Sequence, residues 1–129
     1  MLQGMDPRLT DRKGWANSFN RCWMCGARSH SGLPLETHEM ERRSHGPQMR
    51  WAHRCNYFRA CHRCHEGPLA TMAHAMQLAY KTLADPKNYD LESWLKIRDP
   101  DLRAPNRVTQ DEVDGFATTI IGWGEFKWK

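Results

Sequence analysis

Residues that commonly bind metal ions are concentrated in one part of this 129-residue chain. All seven histidines lie between His30 and His74, and four of the five cysteines form two C-x-x-C pairs. These cysteines are Cys22, Cys25, Cys61 and Cys64. Two thiolates separated by two residues can bind the same tetrahedral zinc ion, and Gly26 allows a turn that brings backbone amides to the sulfur atoms. The pattern predicts one structural Zn²⁺ held by all four cysteines.

Two other uses of the cysteines compete with a zinc site. A disulfide framework is disfavoured because the chain begins without the apolar segment of a signal peptide, and because five cysteines leave one thiol, Cys55, outside any pairing. Residues 61–65 also fit the C-x-x-C-H pattern of haem attachment, but that chemistry would need export and would leave the first pair unexplained. We therefore expect a cytoplasmic zinc protein.

The composition bounds the size and the class of the protein. A chain of 129 residues predicts one domain with a small core, which a structural metal would help to stabilise. No apolar run approaches the ~18 residues of a membrane span, so we expect no membrane association. The net charge of +4 is only mildly basic, so the distribution of charge matters more than the total.

A basic segment lies between the two cysteine pairs. Residues 42–63 contain six arginines and no acidic residue, and Trp51, Tyr57 and Phe58 are interspersed among them. The arginines are Arg42, Arg43, Arg50, Arg54, Arg59 and Arg63. Such a segment is typical of surfaces that bind a phosphodiester backbone, although an ordinary solvated basic face has the same composition.

The hydrophobic pattern predicts a small α+β protein with a zinc-knuckle ββα core followed by two or three packing helices. Residues 33–40 resemble a strand, and residues 49–60 would complete a loose hairpin. One helix is predicted from Pro68 to before Asp85, a second over residues 91–97, and a third after the capping box Thr109-Gln110-Asp111-Glu112. We expect an N-terminal arm or short lead-in helix (1–20), a zinc-knuckle domain (21–85) and a helical extension packed on it (86–129).

In combination, these motifs resemble the HNH endonucleases of the ββα-metal type, particularly small phage and bacterial members with zinc knuckles. The family pattern is a C-x-x-C pair, a strand ending in His-His or Asp-His, a loop, an Asn, and a C-x-x-C-His that opens a helix. Here Leu35-Glu36-Thr37-His38-Glu39-Met40 matches the strand, Asn56 the middle Asn, and His65 the last histidine. The resemblance covers about a third of the chain.

The chain departs from the family at the strand, where Thr37-His38-Glu39 stands in place of two adjacent catalytic residues. Either His38 is the general base and Thr37 replaces the ligand, or His38 is the ligand and Glu39 replaces the base. We prefer His38 as the base, because a near-neutral imidazole suits abstraction of a proton from water. The resemblance then implies that His65, helped by Glu39 or another nearby side chain, binds a catalytic Mg²⁺, Mn²⁺, Ni²⁺ or Zn²⁺ ion. It also implies that Asn56 hydrogen-bonds the base or its backbone.

The resemblance implies a metal-dependent endonuclease that hydrolyses DNA phosphodiester bonds in the cytoplasm of a bacterial host cell. DNA is the expected partner, and a phage terminase or the host nucleic-acid machinery is a candidate one. One site cuts one strand, so double-strand cleavage would need a homodimer or two sequential events. The alternative is a non-catalytic, zinc-stabilised nucleic-acid-binding or adaptor module.

Overall fold

A two-stranded antiparallel sheet and five α-helices make up the part of the chain that the computed structural model describes, residues 12–29, 34–41 and 53–123. The elements are α1 (Arg12–Asn17), β1 (Leu35–Glu39), β2 (Tyr57–Cys61), α2 (His62–Glu66), α3 (His74–Ala84), α4 (Leu91–Arg98) and α5 (Gln110–Gly122). Short 3₁₀ turns occupy Arg54–Asn56, Pro68–Thr71 and Pro86–Asn88. The predicted α+β class is confirmed. Within these ranges, no helix combines the length and apolarity needed to cross a membrane.

The hairpin of β1 and β2 fixes which side chains share a face. In its register His38 lies opposite Phe58, and Glu39 lies opposite Tyr57. Successive side chains of a strand point to opposite faces, so Glu36 and His38 share one face while Thr37 and Glu39 lie on the other. The hairpin therefore separates the two glutamates of β1.

Helix α2, which follows β2 directly, has only five residues. The longer helix predicted from Pro68 to before Asp85 ends as expected at Ala84, but its predicted start is wrong. Gly67 ends α2, and a Cβ there would lie 2.7 Å from the carbonyl oxygen of Arg63. Pro68 then begins a 3₁₀ turn, and α3 starts only at His74.

An aromatic cluster forms the core between α1 and the hairpin. Trp15 of α1 is 3% exposed, and its ring centroid lies 5.3 Å from that of Tyr57 and 5.7 Å from that of Trp23. Trp23 in turn packs on Phe58 at 4.8 Å. Of the two forms predicted for the first twenty residues, the structure shows the lead-in helix over residues 12–17, while residues 1–11 lie outside the described ranges.

The C-terminal helices pack against this core. Helix α5 lies along α3 and buries Val113 and Ile120. It begins with the predicted capping box, in which Thr109 and Glu112 each hydrogen-bond the other's backbone amide. Helix α4 contacts the 3₁₀ turn that precedes β2. The two helices of the extension therefore contact α3 and the turn that leads into β2.

Candidate functional site

The four predicted cysteines come together in one cluster. Each residue offers one sulfur ligand atom, and these atoms all lie within 4.8 Å of one another. The Sγ atoms of Cys25 and Cys61 are 3.8 Å apart. Two thiolates on one tetrahedral zinc ion, each at about 2.3 Å, are expected about 3.8 Å apart. The cluster is therefore of the right size to bind a metal ion such as zinc, as the sequence predicted.

The first cysteine pair lies in a tight turn shaped for a thiolate. Gly26 has a φ of 75°, which favours glycine, and its amide donates to the carbonyl of Cys22 at 2.9 Å. The amides of Met24 and Cys25 point at Cys22 Sγ, at 3.4 Å and 3.5 Å. These donors stabilise a charged sulfur, as the glycine in the sequence indicated.

Electrostatics within the cluster favour a bound cation. Burial raises the pKa of Cys64 and that of Cys25, and neighbouring thiols add to both effects. Burial also opposes ionisation of Cys61, but hydrogen bonds from Cys64, Cys25 and Cys22 outweigh it and lower the pKa of Cys61. Since the four thiols cannot all ionise against one another, a divalent cation supplies the charge that the thiolate form needs.

A second constellation forms where α2 meets β1. His38 Nδ1 lies 3.2 Å from His65 Nε2. The other nitrogen of each ring has its own partner: His65 Nδ1 lies 2.6 Å from Glu36 Oε1, and His38 Nε2 lies 3.1 Å from Gln77 Oε1. The four side chains form a continuous chain of contacts from β1 through α2 to α3.

The hydrogen-bond partners of the two imidazole rings determine which nitrogen of each ring carries a proton. A neutral imidazole carries one N–H, and the carboxylate of Glu36 and the amide oxygen of Gln77 are acceptors. If both rings are neutral, the N–H of each ring points away from the other ring, and His38 Nδ1 and His65 Nε2 turn their lone pairs towards each other. Two nitrogens on one tetrahedral ion, each at about 2.0–2.1 Å, lie about 3.3 Å apart, so the observed separation fits a shared metal ion.

Glu36 is a site residue that the sequence interpretation missed. Its second oxygen accepts from His62 Nδ1 at 2.8 Å, so the carboxylate bridges two histidines of α2. The hydrogen bond from His65, with that from His62, lowers the pKa of Glu36, and the bond to Glu36 raises the pKa of His62. The sequence contained a signal for Glu36, because residues two apart in a strand lie on the same face and Glu36 precedes His38 by two residues.

Glu39 lies on the other face of the strand. Its carboxylate pairs with Arg12 Nη1 at 3.3 Å, and Arg12 Nη2 donates to the carbonyl of Thr37 at 3.1 Å. The resemblance implied Glu39 as the carboxylate beside His65, but Glu36 occupies that position. The physical reason is the alternation of side chains along β1.

Asn56 is fully buried at the end of the 3₁₀ turn before β2. Its Oδ1 accepts from the amide of Glu41 at 2.7 Å and from Trp94 Nε1 at 3.1 Å, and its Nδ2 donates to the carbonyl of Glu41 at 3.1 Å. The resemblance implied a hydrogen bond to the base or its backbone. These bonds instead go to Glu41, three residues beyond His38, and fix the chain where it leaves β1.

The predicted DNA-binding arginines are only partly described. Arg42, Arg43 and Arg50 lie outside the described residues. Arg63 on α2 is exposed, whereas Arg54 and Arg59 are half-buried. The guanidinium of Arg59 donates to Thr37 Oγ1 at 3.2 Å and to the carbonyl of Phe19 at 3.4 Å, and burial lowers its pKa. Among the described members of the set, Arg63 is the one that is exposed.

The histidine pair is open to solvent on one side. The side chains of His65 and Glu36 are 31% and 32% exposed.

Comparison with protein-family models, with curated proteins and with solved structures finds no match for this chain. The functional argument therefore depends on the geometry of the two sites.

Proposed function

We propose that the chain is a metal-dependent endonuclease of the HNH type that hydrolyses DNA phosphodiester bonds. The observation that carries this proposal is the pair of imidazole nitrogens, His38 Nδ1 and His65 Nε2, which lie 3.2 Å apart where the hairpin meets a short helix. The partial exposure of His65 leaves this point accessible to a phosphate.

His38 and His65 are the residues that would hold the divalent ion. This assignment takes the second of the two alternatives left by the sequence, in which His38 is a ligand. Imidazole ligands suit Zn²⁺ and Ni²⁺, and Mn²⁺ and Mg²⁺ remain candidates. When bound, such an ion would neutralise charge on a phosphate oxygen and acidify water.

The protein's own groups orient the two ligands. Glu36 receives the N–H of His65 and Gln77 that of His38, so each ring presents its lone pair in one direction. Partners of this kind fix the tautomer and raise the basicity of metal-binding imidazoles. Arg63, two residues before His65, supplies an exposed cation for the DNA backbone.

One observation favours a second function, a zinc-stabilised nucleic-acid-binding module without catalysis. If His38 is a ligand, Glu39 is the residue left to act as the base. Glu39 is paired with Arg12 on the other face of β1, and its side chain is 13% exposed. A carboxylate held in an ion pair is a poorer proton acceptor than a near-neutral imidazole.

A plasmid-nicking assay tests the proposal. Zinc-loaded protein is incubated with supercoiled DNA in Mg²⁺, Mn²⁺, Ni²⁺ or EDTA, beside His38→Ala and His65→Ala. We expect nicking that depends on the added cation and falls by at least about 10-fold in both variants. Gln110→Met is the control, because Gln110 lies on α5, accepts from Tyr89 and is not part of the pair.

The same assay can favour the second function. Wild-type protein that binds zinc and shifts DNA in a gel, yet is as inactive as His38→Ala, would contradict the nuclease and support the binding module.

A further inference from the structure

Gln77 is a buried polar residue on the inner face of α3. It is 4% exposed and lies among the buried residues Ala75, Leu78 and Ala79. Burying an amide without hydrogen bonds is unfavourable, and an apolar side chain would fill the same space without that requirement. The bonds of its amide therefore indicate what Gln77 does.

Both ends of the Gln77 amide are engaged, and this fixes its orientation. Nε2 donates to the carbonyl of Met72 at 2.8 Å, and Oε1 lies 3.1 Å from His38 Nε2. The flipped amide would place its oxygen against the Met72 carbonyl, so that two acceptors would meet. Oε1 therefore faces His38, and the ring must carry its proton on Nε2.

We propose that Gln77 is a positioning residue that holds His38 in the Nε2–H tautomer and so directs the Nδ1 lone pair at His65. The effect of this role on metal binding depends on the proposed function, whereas its effect on the tautomer of His38 does not. The arrangement has a counterpart in Glu36, which holds the proton of His65 on Nδ1. One acceptor comes from β1 and the other from α3, so the two rings are oriented from different elements.

The tautomer of His38 can be measured without DNA or a second metal. Two-bond ¹H–¹⁵N correlation spectra of the zinc-loaded chain, at a pH where the rings are neutral, distinguish Nε2–H from Nδ1–H. We expect the Nε2–H form in the wild type and a mixture of both forms in Gln77→Met, which offers the ring no acceptor. Gln110→Met, at a glutamine on α5 that accepts from Tyr89, is the matched control.

Calorimetric titration with Ni²⁺ then measures the consequence for metal binding. Loss of an orienting partner typically weakens metal affinity about 10–100-fold, so we expect at least about 10-fold weaker Ni²⁺ binding in Gln77→Met. Should Gln77→Met fail to fold, Gln77→Asn withdraws the acceptor with a smaller change in shape.

Two outcomes separate this role from the proposed function. If Gln77→Met folds, keeps the Nε2–H tautomer and binds Ni²⁺ as the wild type does, the positioning role is overturned and Gln77 serves packing alone. If the wild type binds no Ni²⁺ while the tautomer follows residue 77, the positioning role is supported and the proposed metal site fails.

Discussion

Glu36 and Glu39 are chemically alike but lie in different electrostatic environments. Glu36 accepts hydrogen bonds from His62 and His65, which lower its pKa. Glu39 neutralises Arg12 on the other face of β1. At the scale of single residues, two glutamates three positions apart therefore have different roles. Glu36 orients the candidate ligand His65, and Glu39 forms an ion pair with Arg12.

The two glutamates provide a matched pair of substitutions. Glu36→Gln replaces the carboxylate that receives the N–H of His65, so we expect Ni²⁺ or Mn²⁺ affinity to fall about 10–100-fold. Glu39→Gln should leave that affinity within about 2-fold, because it acts on the opposite face. Calorimetric titration of zinc-loaded protein measures both. A larger loss in Glu39→Gln than in Glu36→Gln would restore Glu39 as the site carboxylate.

At the scale of elements, Asn56 joins the hairpin to α4. Its side chain satisfies both backbone groups of Glu41 and accepts from Trp94, and Arg98 of α4 pairs with the Glu41 carboxylate at 2.7 Å. The His74 ring packs against Trp94 and its Nε2 lies 3.0 Å from the carbonyl of Met40. The end of β1 is thus held by α3 and α4, which keeps the strand bearing His38 in place.

Asn56→Ala should destabilise the protein more than Trp94→Phe. The alanine leaves the buried amide and carbonyl of Glu41 without their partner, at about 1–3 kcal/mol for each such group. Trp94→Phe removes one donor and keeps most of the ring, so we expect about 1 kcal/mol. Urea unfolding of zinc-loaded protein gives both values. Equal losses would mean that packing of the indole, rather than the Asn56 bonds, holds this junction.

The elements with local signals could be predicted from the sequence, whereas those that depend on distant contacts could not. The cysteine spacing, the strand within residues 33–40 and the Thr109–Glu112 capping box each depend on a few neighbouring residues and were found. The break at Gly67 was missed because the apolar period runs past it. Gln77 was missed because its partner, His38, lies 39 residues away and nothing local marks the contact.

At the scale of the whole molecule, the cysteine cluster connects segments that are far apart in sequence. Cys61 ends β2 and Cys64 lies in α2, while the first pair is anchored to the hairpin by a bond from the amide of Trp23 to the carbonyl of Arg59 at 3.0 Å. His65 directly follows Cys64. A metal ion in the cluster would therefore fix the helix that carries His65.

Loss of one cluster thiol should release zinc and destabilise the fold. We expect wild-type protein to hold one zinc ion per chain, and Cys25→Ser to lose it under mild chelation, because binding of a structural zinc is coupled to folding. Cys55→Ala is the matched control, since Cys55 is a buried thiol outside the group of four. Zinc content by mass spectrometry and thermal melts report the outcome. Retention of zinc by Cys25→Ser would contradict a four-thiolate site.

A buried ion pair links α1, β2 and α3. Lys81 Nζ donates to the carbonyls of Arg54 and Tyr57 at 2.6 Å and 2.7 Å and to Asp85 at 3.1 Å. Asp85 also accepts from Trp15 Nε1 at 2.8 Å. Burial lowers the pKa of Lys81 to about 8, because desolvation of the ammonium outweighs the attraction of Asp85.

Removing one charge of this pair should lower the free energy of unfolding more than removing both charges. Lys81→Met leaves the buried Asp85 carboxylate without the ammonium that pairs with it, and we expect a loss of about 3–5 kcal/mol in the free energy of unfolding. Lys81→Met combined with Asp85→Asn removes the unpaired charge and keeps a partner for Trp15, so it should recover part of that loss. Urea unfolding of the zinc-loaded single and double variants measures the difference. If the double variant is less stable than Lys81→Met, the carboxylate stabilises the fold through its bonds to Trp15 and Asn88 rather than through its charge on Lys81.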